Sequence, residues 1–127
     1  MEVKKVLIID DEKSFCNLVK MNLDLVGRFE VHIANNGKDG VKLAKKIQPD
    51  VILLDVIMPR QSGFKTLEVL KKDLKTISIP VIMLSALTDE KSVMRAGSMY
   101  SEHYVTKPIS TEKLIEKIDW TLNIGKK

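Results

Sequence analysis

The sequence has few of the residues that cross-link small proteins or anchor them in membranes. Cys16 is the only cysteine in 127 residues, which excludes an internal disulfide and argues against a cysteine-rich zinc site. The longest apolar runs, such as residues 6–9 and 51–54, fall far short of the roughly 20 residues that span a bilayer. We therefore expect one reduced, cytoplasmic domain over residues 1–127, with residues 125–127 as a frayed tail.

The chain also carries only a small excess of positive charge. The chain has 21 basic and 17 acidic residues, for a formal net charge of +4. Its lysines are scattered along segments of helical period, and no aromatic residues interleave them as in a nucleic-acid-binding stripe. The charge is typical of solvated helix faces, so we expect no direct nucleic-acid or membrane partner.

Short apolar runs alternate with segments of helical period, a pattern typical of βαβ units. It predicts an α/β fold, a doubly wound five-stranded parallel sheet with five helices on both faces. Apolar spacing places Val26 and Leu74 on core-facing stripes, and either Thr111 or Ser110 caps the last helix. The predicted strands cover residues 6–9, 29–34, 51–54, 81–84 and 104–105. The predicted helices cover residues 11–26, 63–74, 89–97 and 111–122, and a further short helix, marked by apolar residues between 41 and 47, follows a turn at residues 35–37.

Polar residues interrupt this plan where strands end. Asp10 and Asp11 follow the first strand, Asp55 the third, Ser85 the fourth and Lys107 the fifth. The carboxyl ends of parallel strands form one edge of the sheet, and ligands bind there where the strand order reverses. With a strand order of 2-1-3-4-5, the three aspartates converge at that point. Crowded carboxylates repel each other, and either protonation of one of them or a hard divalent cation with oxygen ligands relieves the repulsion; Mg²⁺ suits this site.

Such a site suits chemistry at phosphorus. A carboxylate can attack a phosphoryl group and form an acyl phosphate, which is the role we expect for Asp55. Lys107 supplies a compact positive charge for phosphate oxygens, and the Ser85 hydroxyl supplies a hydrogen bond. Asp11 is expected to ligate the cation directly and Asp10 through water or weakly.

Four motifs lie at the ends of predicted strands. They are Ile9-Asp10-Asp11-Glu12, Leu54-Asp55-Val56-Ile57-Met58-Pro59 followed by Gly63, Leu84-Ser85-Ala86, and Tyr104-Val105-Thr106-Lys107-Pro108. With these motifs the chain resembles, over essentially its whole length, the receiver domain of two-component response regulators. The resemblance implies a flavodoxin-like fold similar to that of single-domain chemotaxis regulators, and the strand order 2-1-3-4-5 rests on it.

The resemblance implies a phosphoacceptor and a metal site. Asp55 would accept the phosphoryl group. Asp10, Asp11 and Asp55, with the backbone carbonyl of Ile57, would hold Mg²⁺, for which Mn²⁺ can substitute.

It also implies a switch. Ser85 would move toward the phosphoryl group, Tyr104 would change rotamer with it, and Lys107 would contact the phosphate. The peptide bond before Pro108 would be cis, which would aim the lysine inward.

The function implied is signalling rather than enzymatic, although the domain would promote its own phosphorylation and dephosphorylation. A sensor histidine kinase or phosphotransfer protein would supply the phosphoryl group. Phosphorylation would switch a protein-interaction face formed by the fourth predicted helix, the fifth strand and the fifth predicted helix. We expect either a stand-alone regulator or part of a longer protein, as a monomer or as a dimer that forms on phosphorylation.

Other interpretations remain open at this stage. The Asp10-Asp11 pair can simply cap a helix, Ser85 can be a turn residue, Lys107 a surface lysine and Tyr104 a half-buried strand aromatic. A pseudo-receiver would bind partners without phosphorylation. A Mg²⁺-dependent phosphohydrolase of the haloacid-dehalogenase type also uses a strand-end aspartate, but it needs a second acid two residues on, where this chain has Ile57.

Overall fold

Five strands pair in parallel in one sheet. The computed structural model describes residues 2–58, 60–85, 103–107 and 109–123. The strand order is 2-1-3-4-5, which confirms the predicted doubly wound sheet and its order. The predicted helix over residues 89–97, the Pro108 peptide bond and the predicted tail lie outside the described residues. The strands are β1 (Lys4–Ile9), β2 (Phe29–Ala34), β3 (Val51–Asp55), β4 (Val81–Ser85) and β5 (His103–Thr106), and the helices are α1 (Lys13–Val26), α2 (Gly37–Ile47), α3 (Gly63–Lys72) and α4 (Thr111–Asn123).

The central strands are apolar throughout because helices cover both faces of the sheet. Successive strand side chains point to opposite faces, so each apolar run serves two cores. Leu7 and Leu54 pack with α2 and α3 on one face, whereas Ile8 and Leu53 pack with α1 and α4 on the other. All four side chains are fully buried. The two cores hold the carboxyl ends of the strands at one edge.

Local signals in the sequence begin and end the helices. The Asn36 side chain accepts a hydrogen bond from the Asp39 N–H at 2.8 Å and caps α2. The helix ends at Ile47, just before Pro49, and α1 ends at Gly27, whose φ of 79° is left-handed. None of the helices in the described part of the chain has the length and apolar character needed to span a bilayer.

The structure decides which residue caps the last helix. The Ser110 hydroxyl oxygen accepts a hydrogen bond from the Lys113 N–H at 3.2 Å, so Ser110 is the cap of α4. Thr111, the first residue of α4, instead accepts a hydrogen bond from the Asn22 side-chain amide of α1 at 2.9 Å. The Ser110 hydroxyl therefore caps α4, and the Thr111 hydroxyl connects α4 to α1.

The predicted core positions of Leu74 and Val26 are wrong. Leu74 is 91% exposed because α3 ends at Lys72 and Asp73 adopts an extended conformation. The Asp73 carboxylate then accepts a hydrogen bond from the Lys75 N–H at 2.8 Å, which turns the chain away. Val26 is the last residue of α1 and is 39% exposed. Beyond the end of α3 the helical spacing no longer says which way the Leu74 side chain points, and at the last residue of α1 it does not say whether another element covers the side chain.

Candidate functional site

The ends of four strands bring polar side chains to one edge of the sheet. Asp10 directly follows β1, Asp55 ends β3, Ser85 ends β4 and Lys107 directly follows β5. Main-chain hydrogen bonds continue past the strands: the Asp10 N–H donates to the Ala34 carbonyl at 3.0 Å, and the Lys107 N–H to the Ser85 carbonyl at 2.8 Å. The parallel register therefore places these residues together although they are far apart in the chain.

Three carboxylates meet at this edge. Oxygens of Asp10, Asp11 and Asp55 all lie within 4.8 Å of one another. Asp10 and Asp55 are only 1% and 6% exposed, whereas Asp11 is exposed. Carboxylate oxygens in such a group are the ligands that a hard divalent cation such as Mg²⁺ prefers, so the donor set fits this ion. A cavity of about 280 Å³ opens here, lined by Asp11, Glu12, Asp55, Ile57, Ser85 and Lys107.

Lys107 supplies positive charge to the acidic group. Its ammonium lies 2.6 Å from Asp10 Oδ2, 2.9 Å from Glu12 Oε1 and 3.7 Å from Asp55 Oδ1. It also lies over the Phe15 ring, 4.1 Å from the ring centroid. Burial lowers the pKa of Lys107, but the hydrogen bonds to Asp10 and Glu12, together with the negative charges of Asp10 and Asp55, outweigh burial and hold the pKa above its ordinary value. One ammonium therefore faces several carboxylates.

The Asp55 carboxyl is unusually easy to protonate in the metal-free protein. Burial raises its pKa from 3.8 to about 6, and the neighbouring charge of Asp10 acts in the same direction. Lys107 opposes the rise, as does a hydrogen bond from the backbone N–H of Ile57. The charged form of Asp55 is therefore destabilised until a cation approaches it.

Replacing Asp55 with asparagine should stabilise the metal-free fold. Because the folded pKa lies above the unfolded value, the wild-type protein loses stability as the pH rises from about 4 to about 6. The uncharged amide avoids this loss, so we expect the Asp55→Asn variant to gain about 1–2 kcal/mol in free energy of unfolding at pH 8. Urea unfolding in EDTA at pH 4 and pH 8, followed by circular dichroism, measures the gain.

The control for this prediction is Asp24→Asn, which removes an exposed carboxylate that pairs with Lys20 on α1. It should show no gain at pH 8. An Asp55→Asn protein no more stable than wild type at that pH contradicts the prediction.

The structure also places the other residues singled out by sequence. Ile57 lines the cavity and is 56% exposed. Tyr104 lies on β5 beside Met83 and is half-buried, packed against the core on the α2 and α3 face rather than lining the cavity. Lys107 is only 11% exposed and is not a surface lysine. The residue at the cap position of α1 is Glu12, not Asp10 or Asp11.

Sequence analysis missed contributions from Glu12, Asn35 and Phe15. Glu12 and Phe15 both contact the Lys107 ammonium. Asn35 directly follows β2, and its side-chain amide donates to the Asp10 backbone carbonyl at 2.9 Å. The strand-end rule that identified the aspartates applies to Asn35 as well, and Glu12 follows Asp11 within a motif.

Cys16 contacts the same carbonyl, and its sulfur lies 3.9 Å from the Asn35 side-chain nitrogen. Its thiol lies 3.4 Å from the Asp10 backbone oxygen and is buried. Burial raises the pKa of this thiol to about 12, and the charge of Asp10 adds to the effect. The cysteine thus remains a neutral, buried side chain, as expected for a cysteine that packs as a small apolar group.

Fold and cavity together define a flavodoxin-like protein with an acidic site where the order of its strands reverses. The family model of the response regulator receiver domain matches residues 6–119. This chain therefore belongs to the receiver-domain family of response regulators.

Relatives and solved structures agree with this assignment. The chain is 35% identical over 114 residues to the DNA-binding dual master transcriptional regulator RpaA of Synechocystis, covering 90% of this chain and 47% of that protein. It thus spans about half the length of this relative. The Francisella response regulator 1452 receiver domain is 31% identical, with a TM-score of 0.86 over 95% of this chain and 98% of that one. The chemotaxis protein CheY4 of Vibrio cholerae is 27% identical, with a TM-score of 0.88 over 94% and 98% of the two chains.

Proposed function

We propose that this chain acts in the cytoplasm as a phosphoryl acceptor, with Asp55 as the nucleophile. The observation that carries the proposal is the convergence of Asp11, Asp55 and Lys107 on one open cavity, with Asp10 in contact with Lys107 and grouped with the other two aspartates. A buried carboxylate beside a cation site and a lysine has what in-line attack on phosphorus requires, which is positioning and neutralisation of charge. The donor is the phosphohistidine of a sensor kinase or phosphotransfer protein.

The transfer forms one bond and breaks one. An Asp55 carboxylate oxygen attacks phosphorus as the phosphorus–nitrogen bond of phosphohistidine breaks, and the imidazole leaves with the bonding electron pair. With acetyl phosphate, the bond to the acetate oxygen breaks instead and acetate leaves. Lys107 and Ser85 contribute an ammonium and a hydroxyl at the cavity wall for the oxygens of the transferred group.

Asp10, Asp11, Asp55 and the backbone carbonyl of Ile57 are the proposed Mg²⁺ ligands, with Mn²⁺ as a substitute. When bound, the ion neutralises charge on the carboxylates and on the phosphoryl oxygens. Asp10 is already engaged with Lys107 and with the Glu12 N–H, which lies 2.9 Å from its Oδ1. This agrees with a weaker or water-mediated role for Asp10 than for Asp11.

The signal would leave the site through β4 and β5. Thr106 on β5 is paired with Ser85 on β4, and Tyr104 is paired with Met83 two residues earlier. A phosphoryl group that draws the Ser85 hydroxyl toward Asp55 therefore acts on the strand that carries Tyr104. We propose that Tyr104 responds with a rotamer change and alters a face that binds a downstream protein.

Intact mass spectrometry after incubation with Mg²⁺ and acetyl phosphate or phosphoramidate tests the proposal. We expect one phosphoryl adduct on the wild-type protein, none on Asp55→Asn, and none in EDTA. Asp24→Asn, which changes an exposed acid on α1, should be modified like wild type. The proposal is overturned if neither donor gives an adduct, or if the adduct persists in Asp55→Asn. The first of these results would favour a phosphorylation-independent binding module.

A further inference from the structure

Glu12 holds an unusual position beside the cavity. It is the cap residue of α1, a place where Ser, Thr, Asp or Asn side chains usually accept a backbone N–H. The Glu12 side chain makes no such hydrogen bond. Its carboxylate turns instead to the Lys107 ammonium at 2.9 Å. The Glu12 side chain therefore does not cap the helix, and its contact is with the Lys107 ammonium at the cavity.

The position of this carboxylate matters because it lies at the mouth of the cavity. The Glu12 side chain is 58% exposed, whereas Lys107 is 11% exposed. Both residues line the cavity that also contains Asp55. A phosphoryl donor that reaches Asp55 from solvent enters this space, and its oxygens are the anions that Lys107 is placed to bind. Glu12 already occupies the solvent-facing side of the ammonium.

The two carboxylates closest to the Lys107 ammonium differ in their exposure to solvent. Asp10 is 1% exposed, and its carboxylate lies 2.6 Å from the Lys107 ammonium, inside the protein. This buried pair fixes the ammonium in place, since leaving Asp10 without its partner would isolate a charge away from water. The Glu12 contact is exposed and so can be exchanged for another anion without burying a bare charge.

We propose, on the basis of the phosphoryl-acceptor function above, that Glu12 competes with the incoming phosphoryl group for Lys107. In the resting protein its carboxylate occupies the position that a phosphoryl oxygen takes, and it adds negative charge where an anionic donor enters. Glu12 thereby weakens the binding of small phosphoryl donors and of phosphoryl analogues. Release of Glu12 from Lys107 accompanies loading of the site.

The test compares wild type with Glu12→Gln, which removes the charge, and Glu12→Asp, which keeps the charge but shortens the side chain. Beryllofluoride, a stable phosphoryl analogue, is titrated at saturating Mg²⁺ and followed by calorimetry. We expect Glu12→Gln to bind it about twofold to fivefold more tightly, the range given by exposed ion pairs. The concentration of acetyl phosphate that gives half-maximal phosphorylation should fall by a similar factor. Glu12→Asp should show a smaller gain than Glu12→Gln, since the shortened carboxylate no longer reaches the ammonium but keeps its negative charge near the cavity.

Glu68→Gln is the matched control, because it removes one negative charge from the exposed surface of α3, where Glu68 pairs with Lys65. Its analogue affinity should equal that of wild type. Urea unfolding of Glu12→Gln should show only the small loss expected when one exposed ion pair is removed, because the Glu12 side chain makes no capping bond.

The outcomes separate this inference from the proposed function. If the wild-type protein binds the analogue and Glu12→Gln binds it no more tightly, or if Glu68→Gln gives the same gain, competition by Glu12 is overturned and the phosphoryl-acceptor function stands. If the wild-type protein neither binds the analogue nor accepts a phosphoryl group, both are overturned.

Discussion

Replacing Gly63 with alanine is expected to lower the free energy of unfolding by about 3 kcal/mol, although alanine is the better helix former. Gly63 is the first residue of α3, and its N–H donates to the Val56 carbonyl at 2.7 Å. An added Cβ would lie 2.0 Å from the Asp55 backbone oxygen and 2.7 Å from the Val56 Cα. Both obstacles are main chain, so no side-chain rotation removes the clash.

The clash falls on the residue that carries the proposed nucleophile. Relief requires either that α3 moves away from β3, which stretches the Gly63–Val56 hydrogen bond beside the site, or that the Asp55 carbonyl shifts, which displaces the Asp55 carboxylate. We therefore expect the variant to lose most of its phosphorylation by acetyl phosphate as well as stability. Urea unfolding and intact mass spectrometry measure the two effects.

Gly27→Ala is the appropriate comparison. Gly27 has a φ of 79°, but nothing lies within 4 Å of its added Cβ. That variant should lose only about 1–2 kcal/mol, through left-handed strain, and should keep its phosphorylation. Equal losses in the two variants would show that space at Gly63 is not the deciding factor.

Replacing Lys107 with methionine should have the second large effect. Methionine keeps much of the apolar stem and removes the ammonium that lies 2.6 Å from Asp10 and 3.7 Å from Asp55. Two nearly buried carboxylates then lose their cation. We expect the metal-free protein to lose about 3 kcal/mol in free energy of unfolding at pH 8, in the range for removal of one partner of a buried ion pair.

Mg²⁺ should reverse much of this loss. A divalent cation that binds only the folded protein stabilises it, and it does so more strongly when no ammonium competes for the same carboxylates. The variant should therefore bind Mg²⁺ more tightly than wild type, whereas its phosphorylation should fall because the charge for phosphate oxygens is gone. Urea unfolding with and without Mg²⁺ gives both the loss and its recovery.

Lys20→Met provides the control, because Lys20 pairs with Asp24 on the exposed surface of α1. Its loss should be below about 1 kcal/mol and insensitive to Mg²⁺. A Lys107→Met protein as stable as wild type in EDTA would contradict the role given to Lys107 as the cation that balances Asp10.

The strands and most helix ends could be predicted from the sequence because short-range rules control them. Apolar runs predicted β1 and β3, and Gly27 ended α1 through its freedom to adopt positive φ. The error at Leu74 arose because a continued apolar spacing does not reveal where the backbone leaves the helix, and the error at Val26 because the spacing does not reveal whether another element covers the last turn. The sequence could not decide whether Ser110 or Thr111 caps the last helix, because both hydroxyls are good caps. The contact between Thr111 and Asn22 in the folded protein distinguishes them.

The sequence by itself determined which chemistry is available: aspartates, a serine and a lysine at the ends of apolar strands, in motifs that match the receiver family. Only the tertiary structure decided how these groups share their charges. Asp10 and Lys107 are 97 residues apart in the chain, yet their 2.6 Å contact makes one the buried partner of the other. The tertiary structure also directs the Glu12 side chain, at the cap position of α1, toward the same ammonium. At Gly63 it leaves no room for a side chain. Distances across the parallel sheet set these relations, and no local spacing in the sequence records them.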